Sequence, residues 1–218
     1  STHVLIDIPV GPTAKVRSEQ YARHLAERMR TVAAHSGLEA RCVLTDGTQP
    51  VGRGIGPALE AHDLLAVLRN ARGAPDDLRR RAASLAGVAL EIGGKSEPGA
   101  GADLALETLA DGRAWTKFQA ICEAQGGMRT PPVAEQTHPL AAAQDGRVVH
   151  IDNRKLARLA KLAGAPDAKA AGIFMEVRLG QNVERGQPLL HVHADTAGEL
   201  AYALDYAAAA GDIIRVEP

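Results

Sequence analysis

The spacing of apolar residues predicts that the chain begins with a strand, a helix and a second strand. His3 to Pro9 and Ala40 to Leu44 are short apolar runs typical of buried strands. Between them, Ser18 is a good N-cap for a helix that runs to Ser36, and Gly37 is placed to close it in a left-handed conformation. Because strand, helix and strand in this order form a βαβ unit, the two strands should be parallel. The larger apolar residues of the helix fall on one face: Tyr21, Leu25, Met29 and Val32.

A glycine-rich loop, Thr45 to Gly56, follows the second strand. The pattern then predicts helices at 57–71, 75–92, 101–111 and 113–125. The stretch from Gly126 to Thr137 holds two glycines and two prolines, which is typical of a linker. We therefore expect a helix-rich α/β region over 1–128, a linker over 129–137 and a second, smaller domain over 138–218.

The second region has a different pattern, which predicts an α+β domain. Pro139 to Ala143 and Arg147 to Ile151 are candidate strands around an Asp145–Gly146 turn. Further strands are expected at Ile173 to Leu179, at Pro188 to His193 and at 213–217. Helices are expected at 153–163 and 196–210.

Composition and charge narrow the classes of protein that fit. Of 218 residues, 45% are apolar but only 3% aromatic, so the core must consist of Ala, Leu, Val and Ile. The net charge of -1 is spread along the chain, unlike the basic stripe of a nucleic-acid binder. No apolar run approaches the roughly 18 residues of a membrane span, and no signal peptide is visible. Cys42 and Cys122 lie in no metal or redox spacing, which favours buried thiols in a reducing cytoplasm. Because a strand follows Ser1 almost at once, we expect further sequence upstream.

The glycine-rich loop is the first candidate for chemistry. It follows a parallel strand and opens a helix, where α/β sheets bind ligands and where backbone amides can face an anion. The dinucleotide fingerprint fails because Pro57 stands in place of its third glycine, and the Walker pattern is absent. Ligand binding and a purely structural role in tight turns are both compatible with the loop.

Other candidate residues are weaker signals. Lys15 closes the first strand–helix loop and could neutralise a phosphate, although a solvent-facing lysine is the default. Asp7 and Asp46 stand near strand ends, where spacing favours turn stabilisation over ligand binding. Gly94-Lys95-Ser96 has the ending of a phosphate loop but follows a helix, so a helix C-cap is expected. His191 and His193 share a strand face, but no third zinc ligand is identifiable.

Several segments together resemble the pyrimidine-nucleoside phosphorylase family over essentially the whole chain. Val4 to Lys15 is similar to the strand and loop that follow the base-binding helix of thymidine phosphorylases. The run TDGTQPVGRGIGPALEA at 45–61 is the most specific match, and it most resembles archaeal AMP phosphorylases and their bacterial thymidine phosphorylase-like relatives. Further matches are Gln125-Gly126-Gly127, Ala163 to Pro166, and Val177 to His193.

The resemblance implies a glycosyltransferase of nucleoside metabolism and pyrimidine salvage. Phosphate would attack C1′ of thymidine, giving thymine and 2-deoxyribose 1-phosphate. The alternative substrate is AMP, giving adenine and ribose 1,5-bisphosphate. The family's catalytic residues, its phosphate loop and its base-contacting Ser and Lys belong upstream, so the resemblance assigns no catalytic residue here. It also implies that the isolated chain is inactive.

Within this chain the resemblance implies a few binding residues. Lys15 matches the lysine that contacts the nucleotide in AMP phosphorylases. The carbonyls of Val51 and Gly54 and the carboxylate of Asp63 match ligands of a monovalent cation, although the family often has glutamate at the last position. Phosphate is the co-substrate, and no other cofactor is expected. A cytoplasmic homodimer is implied, with no nucleic-acid or membrane partner.

The C-terminal region resembles a barrel-sandwich hybrid, a fold also used by biotinyl and lipoyl carriers. The run Val183 to Leu189 is typical of both. A carrier or non-enzymatic interaction module is therefore the rival hypothesis. The carriers have a lysine flanked by methionine on a hairpin, and no Met-Lys pair occurs in this sequence.

Overall fold

The computed structural model describes residues 2–218 and divides them into two compact units. The first unit contains the residues up to Val51 and Ala66–Met128. The second contains Gly52–Leu65 and Arg129–Pro218. The chain therefore passes from the first unit to the second inside the glycine-rich loop, and returns along the helix that follows it.

The first unit begins with the βαβ arrangement that the sequence predicts. Strand β1 (His3–Val10), helix α1 (Glu19–His35) and strand β2 (Glu39–Asp46) follow in order. The two strands pair in parallel, with His3 opposite Glu39 and Val10 opposite Asp46. The parallel pairing is thereby confirmed.

Both predicted signals at the ends of α1 are confirmed. The Ser18 hydroxyl accepts a hydrogen bond from the Tyr21 amide at 3.3 Å. Gly37 has φ +70°, and the amides of Gly37 and Leu38 donate to the carbonyls of Ala34 and Ala33. This pair of bonds is the Schellman arrangement that ends many helices.

Small residues make the closest contact between α1 and the sheet. Ala22 and Ala26 are buried against Ile8 and Val16. Of the larger predicted face, Leu25 and Met29 are half-buried at the margin of this cluster, whereas Tyr21 is 56% and Val32 is 68% exposed. The helix lies close to the strands because alanine occupies its innermost positions.

The remaining helices lie near their predicted ranges. They are α2 (Pro57–Leu68), α3 (Asp76–Ile92), α4 (Gly101–Ala110) and α5 (Arg113–Ala124). A Cβ on Gly101 would lie 2.2 Å from the carbonyl oxygen of Gly87, so α3 and α4 cross with their backbones in contact. Cys42 and Cys122 are both free and half-buried. Within residues 2–218, no helix has the length and apolarity that a bilayer crossing requires.

The second unit contains two antiparallel sheets, two helices of its own and the first nine residues of α2, from Pro57 to Leu65. The strands are β3 (Gly54–Ile55), β4 (Gln136–Ala141), β5 (Gly146–Ile151), β6 (Gly172–Met175), β7 (Asn182–Val183), β8 (Pro188–Ala194) and β9 (Ile214–Glu217). One sheet has the order β3-β6-β8-β4 and the other the order β7-β5-β9. Helices α6 (Asn153–Leu162) and α7 (Ala197–Ala210) contribute to a core centred on Leu156, Leu159, Ile173, Met175 and Val192. The coarse prediction of a mixed α/β protein with parallel and antiparallel pairing is confirmed.

The strands on either side of the predicted Asp145–Gly146 turn do not pair with each other. Strand β4 pairs with β8, whereas β5 pairs with β7 and β9, so the turn connects two different sheets. Gly146 is required for another reason, because a Cβ there would lie 2.2 Å from the Glu217 carbonyl oxygen. The glycine permits close approach of β9 rather than a tight reversal between paired strands.

Candidate functional site

Two loops meet at the carboxyl ends of β1 and β2 in the first unit. The Gly47 amide donates to the Val10 carbonyl at 2.8 Å. A Cβ on Gly11 would lie 2.4 Å from the Gly47 carbonyl oxygen, so only glycine permits this contact. Lys15 lies on the first of these loops and is exposed. Its ammonium group is therefore accessible at the sheet edge where ligands of α/β proteins usually bind.

A half-buried arginine on α3 holds the start of the glycine-rich loop. Arg81 donates from Nη1 to the Thr45 hydroxyl at 2.9 Å and from Nη2 to the Asp46 carbonyl. The Thr45 hydroxyl in turn donates to Asp7 Oδ1 at 2.5 Å, and Arg81 Nη1 lies 3.6 Å from Asp7 Oδ2. Asp7 thus belongs to a polar network that ties both strands to α3.

The other strand-end carboxylate stabilises a turn, as the sequence favours. Asp46 Oδ1 accepts a hydrogen bond from the Thr48 amide at 2.9 Å, two residues along the chain. This is the local side chain-to-backbone bond that aspartate forms in turns. Together with the bond from Gly47 to Val10, it occupies the first amides of the glycine-rich loop.

In the second unit, amides from the later part of the glycine-rich loop also donate hydrogen bonds to side-chain carboxylates. Asp63 is buried, and its Oδ2 accepts hydrogen bonds from Arg53 at 2.5 Å and Gly54 at 2.8 Å. The Gly56 amide donates to Glu60 Oε1 at 2.9 Å. Because these N–H groups already point at carboxylates, they are unsuited to cradle an anion. The structural interpretation of the loop is favoured over phosphate binding by its amides.

Close packing explains the glycines in this part of the loop. A Cβ on Gly54 would lie 2.3 Å from the carbonyl carbon of Leu59, and one on Gly56 would lie 2.4 Å from the carbonyl oxygen of Ala171. Gly54 and Ile55 form β3, which pairs with β6. Arg178 also donates from Nη2 to the Gly52 carbonyl. The second unit therefore holds this part of the loop by backbone pairing and by one guanidinium group.

The three residues matched to a monovalent cation site are distributed over both units. Val51 ends a segment of the first unit, whereas Gly54 and Asp63 belong to the second. The Gly54 amide donates to Asp63 Oδ2 at 2.8 Å, so two of the three matched residues are in contact. Cation binding by these residues stays a prediction.

Lys95 lies in a helix C-cap, which confirms the expected alternative to a phosphate loop. The amides of Gly94 and Lys95 donate to the carbonyls of Glu91 and Leu90, and Gly94 has φ +64°. These are the two bonds of a Schellman motif at the end of α3. The Lys95 side chain is exposed.

His191 and His193 lie on one face of β8, as the alternation of strand side chains predicts. His191 Nδ1 lies 3.2 Å from Glu176 Oε1. Burial, and to a lesser degree the charge of His191, lowers the pKa of His193 below its ordinary value of 6.5. Among residues 2–218, no group of three His, Cys, Asp or Glu side chains is arranged to hold a metal ion.

Sequence reasoning did not single out Arg81 or Arg178. Arg81 could have been found, because it interrupts an apolar helical stripe formed by Leu78, Leu85 and Val88. A charge at such a position is usually paired. Arg178 carries no comparable signal, since its partner is a backbone carbonyl more than a hundred residues away.

Known proteins show strong similarity to the entire chain. Residues 147–213 match the model of the pyrimidine nucleoside phosphorylase C-terminal domain. A protein of Chelativorans sp. (strain BNC1) named "Putative thymidine phosphorylase" is 72% identical over 217 residues, covering 100% of this chain and 43% of that relative. Proteins with the same name from Parvibaculum lavamentivorans and Legionella pneumophila (strain Corby) are 62% and 53% identical, over 100% and 98% of this chain and 43% and 41% of their own lengths.

The chain therefore spans less than half the length of these relatives. The domain match lies within the second unit, and the whole-chain similarity extends through the glycine-rich loop and the Lys15 edge. Residues 147–213 thus match the pyrimidine nucleoside phosphorylase C-terminal domain, and the whole chain is similar to the portion of these relatives that includes this domain.

Proposed function

We propose that this chain is part of a nucleoside phosphorylase that converts thymidine and phosphate reversibly to thymine and 2-deoxyribose 1-phosphate. The observation that carries the proposal is 72% identity across the whole chain to a relative named for this activity. Such a reaction needs two reactants held in line and charge stabilised on the departing base. The proposal also includes a cytoplasmic homodimer, with phosphate as co-substrate and no nucleic-acid or membrane partner.

The part that this chain contributes is the sheet edge formed by the Lys15 loop and the start of the glycine-rich loop. Lys15 is an exposed cation on a loop in contact with Gly47. A lysine in this position suits an anionic group of a bound substrate. In this proposal the residues that perform catalysis belong to the rest of the phosphorylase, and the chain supplies substrate contacts and the C-terminal domain.

AMP is the second candidate substrate, and Lys15 is the feature that favours it. A nucleoside offers this cation no charged partner, whereas a nucleotide offers its phosphate. Charge-assisted hydrogen bonds contribute about 1.5–3 kcal/mol, which is roughly a ten- to hundredfold change in affinity. The change of KM on replacing Lys15 therefore distinguishes AMP from thymidine as the substrate.

The test is a steady-state comparison in the full-length protein that carries this chain. If AMP is the substrate, Lys15→Ala should raise its KM by roughly ten- to hundredfold. If thymidine is the substrate, the same change should leave its KM within about threefold. Lys95→Ala is the matched control. Lys95 is also an exposed lysine of the first unit, but it lies in the C-cap of α3 rather than on the Lys15 loop. Absence of phosphate-dependent base release from both compounds would contradict the proposal.

The cation and fold assignments belong to the same proposal. The contact between the Gly54 amide and the Asp63 carboxylate brings together two of the three residues matched to a monovalent cation site, with Val51 as the third. For residues 138–218 we propose a barrel-sandwich hybrid, supported by the two small antiparallel sheets of the second unit. We also keep the division into 1–128, a linker over 129–137 and 138–218 as a proposal about the domains.

A further inference from the structure

Arg81 differs from its neighbours on α3 in burial and in what it contacts. Its side chain is 18% exposed, whereas that of Arg80 is 77% exposed and pairs with Asp76 one turn earlier. Arg81 contacts a hydroxyl, a carbonyl and a carboxylate that come from two different strands. An arginine that is mostly buried and bonds several acceptors through its guanidinium group holds those acceptors in a defined geometry.

The contacts of Arg81 lead step by step to Lys15. The guanidinium fixes the Asp46 carbonyl at the point where β2 ends. The next residue, Gly47, donates its amide to Val10 and lies against Gly11. Gly11 begins the loop that carries Lys15, and its own carbonyl accepts from Ala14 at 3.1 Å. A shift at the end of β2 must therefore displace the loop that presents Lys15.

We propose that Arg81 is a positioning residue for substrate binding, which acts through the ends of β1 and β2 on Lys15. The inference rests on the proposed function, since the ligand is the nucleoside or nucleotide of that reaction. Arg81 need not touch substrate itself. The fork of the guanidinium explains why arginine occupies this position, because Nη1 and Nη2 serve two acceptors that a single ammonium group could not hold in the same geometry.

The test compares Arg81→Gln, Arg81→Lys and the control Arg80→Gln in the full-length protein. Arg81→Gln should change KM in the same direction as Lys15→Ala and by no more, which means about tenfold for AMP and within about threefold for thymidine, with a smaller effect on kcat. Arg81→Lys should recover part of this loss, and Arg80→Gln should stay within about twofold of wild type. An unchanged KM for AMP in a folded Arg81→Gln protein, or a KM for thymidine that rises further than in Lys15→Ala, would overturn the proposal.

A double-mutant cycle separates positioning from a general effect on stability. If Arg81 acts through Lys15, Arg81→Gln should add less than about threefold to the KM of Lys15→Ala. Fully multiplicative effects would show that the two residues act independently and would overturn the proposal. If Arg81→Gln does not fold, Thr45→Val removes the hydroxyl between Arg81 and Asp7 and should give a smaller change in the same direction.

An activity-independent measurement distinguishes failure of this inference from failure of the proposed function. Amide hydrogen exchange at Gly47 and Thr48 should be about tenfold faster in Arg81→Gln than in Arg80→Gln. If wild type lacks phosphorolysis but exchange changes in this way, the proposed function fails and the positioning of the loop by Arg81 stands. Equal exchange in both variants would overturn the inference whatever the activity.

Discussion

Asp63 illustrates how one buried carboxylate can fix the course of a loop. It is 8% exposed, and one of its oxygens accepts hydrogen bonds from two consecutive amides, those of Arg53 and Gly54. A carboxylate that accepts backbone N–H groups compensates for its burial through these bonds. The same side chain is the proposed cation ligand, so anchoring the loop and binding the cation would share one residue.

Removing this carboxylate should destabilise the second unit. Asp63→Ala leaves the amides of Arg53 and Gly54 without their acceptor, and each unsatisfied buried group costs about 1–3 kcal/mol. We expect a loss of about 2–4 kcal/mol in the free energy of unfolding, measured by urea denaturation. Asp205→Ala, an exposed aspartate on α7, is the control and should change stability by less than about 0.5 kcal/mol. Equal stabilities of the two variants would contradict this account of Asp63.

His193 should make stability depend on pH. Burial and the neighbouring His191 lower its pKa in the folded state below the unfolded value of 6.5. As pH falls below 6.5, the unfolded chain binds a proton at this site more readily than the folded chain, so stability is lost on acidification. His193→Gln should therefore lose less stability than wild type between about pH 7.5 and pH 5.5 in urea denaturation. Parallel losses in the two proteins would contradict the assigned cause.

At the residue scale, the sequence predicts helix caps well but does not predict hydrogen bonds between residues that are distant along the chain. Ser18, Gly37 and the Gly94–Lys95 cap were predictable because each is a local backbone requirement. The bond from Arg178 to Gly52 was not, because it joins residues that only the tertiary fold brings together. Arg81 lies between these cases, since the apolar stripe around it signals burial but does not reveal its partners.

At the scale of elements, β3 is the finding that most changes the interpretation of the glycine-rich loop. Gly54 and Ile55 form a strand of the second unit's sheet, opposite Phe174 and Ile173 of β6. Two residues carry no detectable period, so their pairing could not be predicted from the sequence. The long helices and the parallel pair were predictable because caps and apolar spacing repeat over many residues. The turn signal at Asp145–Gly146 does not reveal that its flanking strands belong to different sheets.

A methyl group on Gly54 should disrupt β3. Its Cβ would lie 2.3 Å from the backbone of Leu59, which cannot move aside as a flexible side chain could. We expect Gly54→Ala to destabilise the second unit by about 3 kcal/mol and to speed hydrogen exchange of the Met175 amide, which donates to Arg53. Gly198→Ala on α7 meets nothing within 4 Å and should be neutral or slightly stabilising. A stable Gly54→Ala variant with a protected Met175 amide would contradict the close approach.

At the scale of the whole molecule, the chain covers 43% of relatives that match it from end to end. Along α1 and β1 the first unit has an open groove of about 580 Å³, lined by apolar side chains such as Val4, Ile6 and Met29. Such a surface is compatible with the rival hypothesis of an assembly module.

Because the proposal places the catalytic residues elsewhere, we expect the purified 218-residue chain to release no base from thymidine or AMP. Measurable phosphorolysis by this chain alone would contradict that division of roles.

Phosphate-dependent release of thymine from thymidine, by the full-length protein that carries this chain, tests the proposed function most directly. We expect thymine and 2-deoxyribose 1-phosphate to form in equal amounts, neither to form without phosphate, and the reaction to run in reverse from the two products. A folded full-length protein that releases no base from thymidine, or releases it at the same rate without phosphate, would contradict the proposed function.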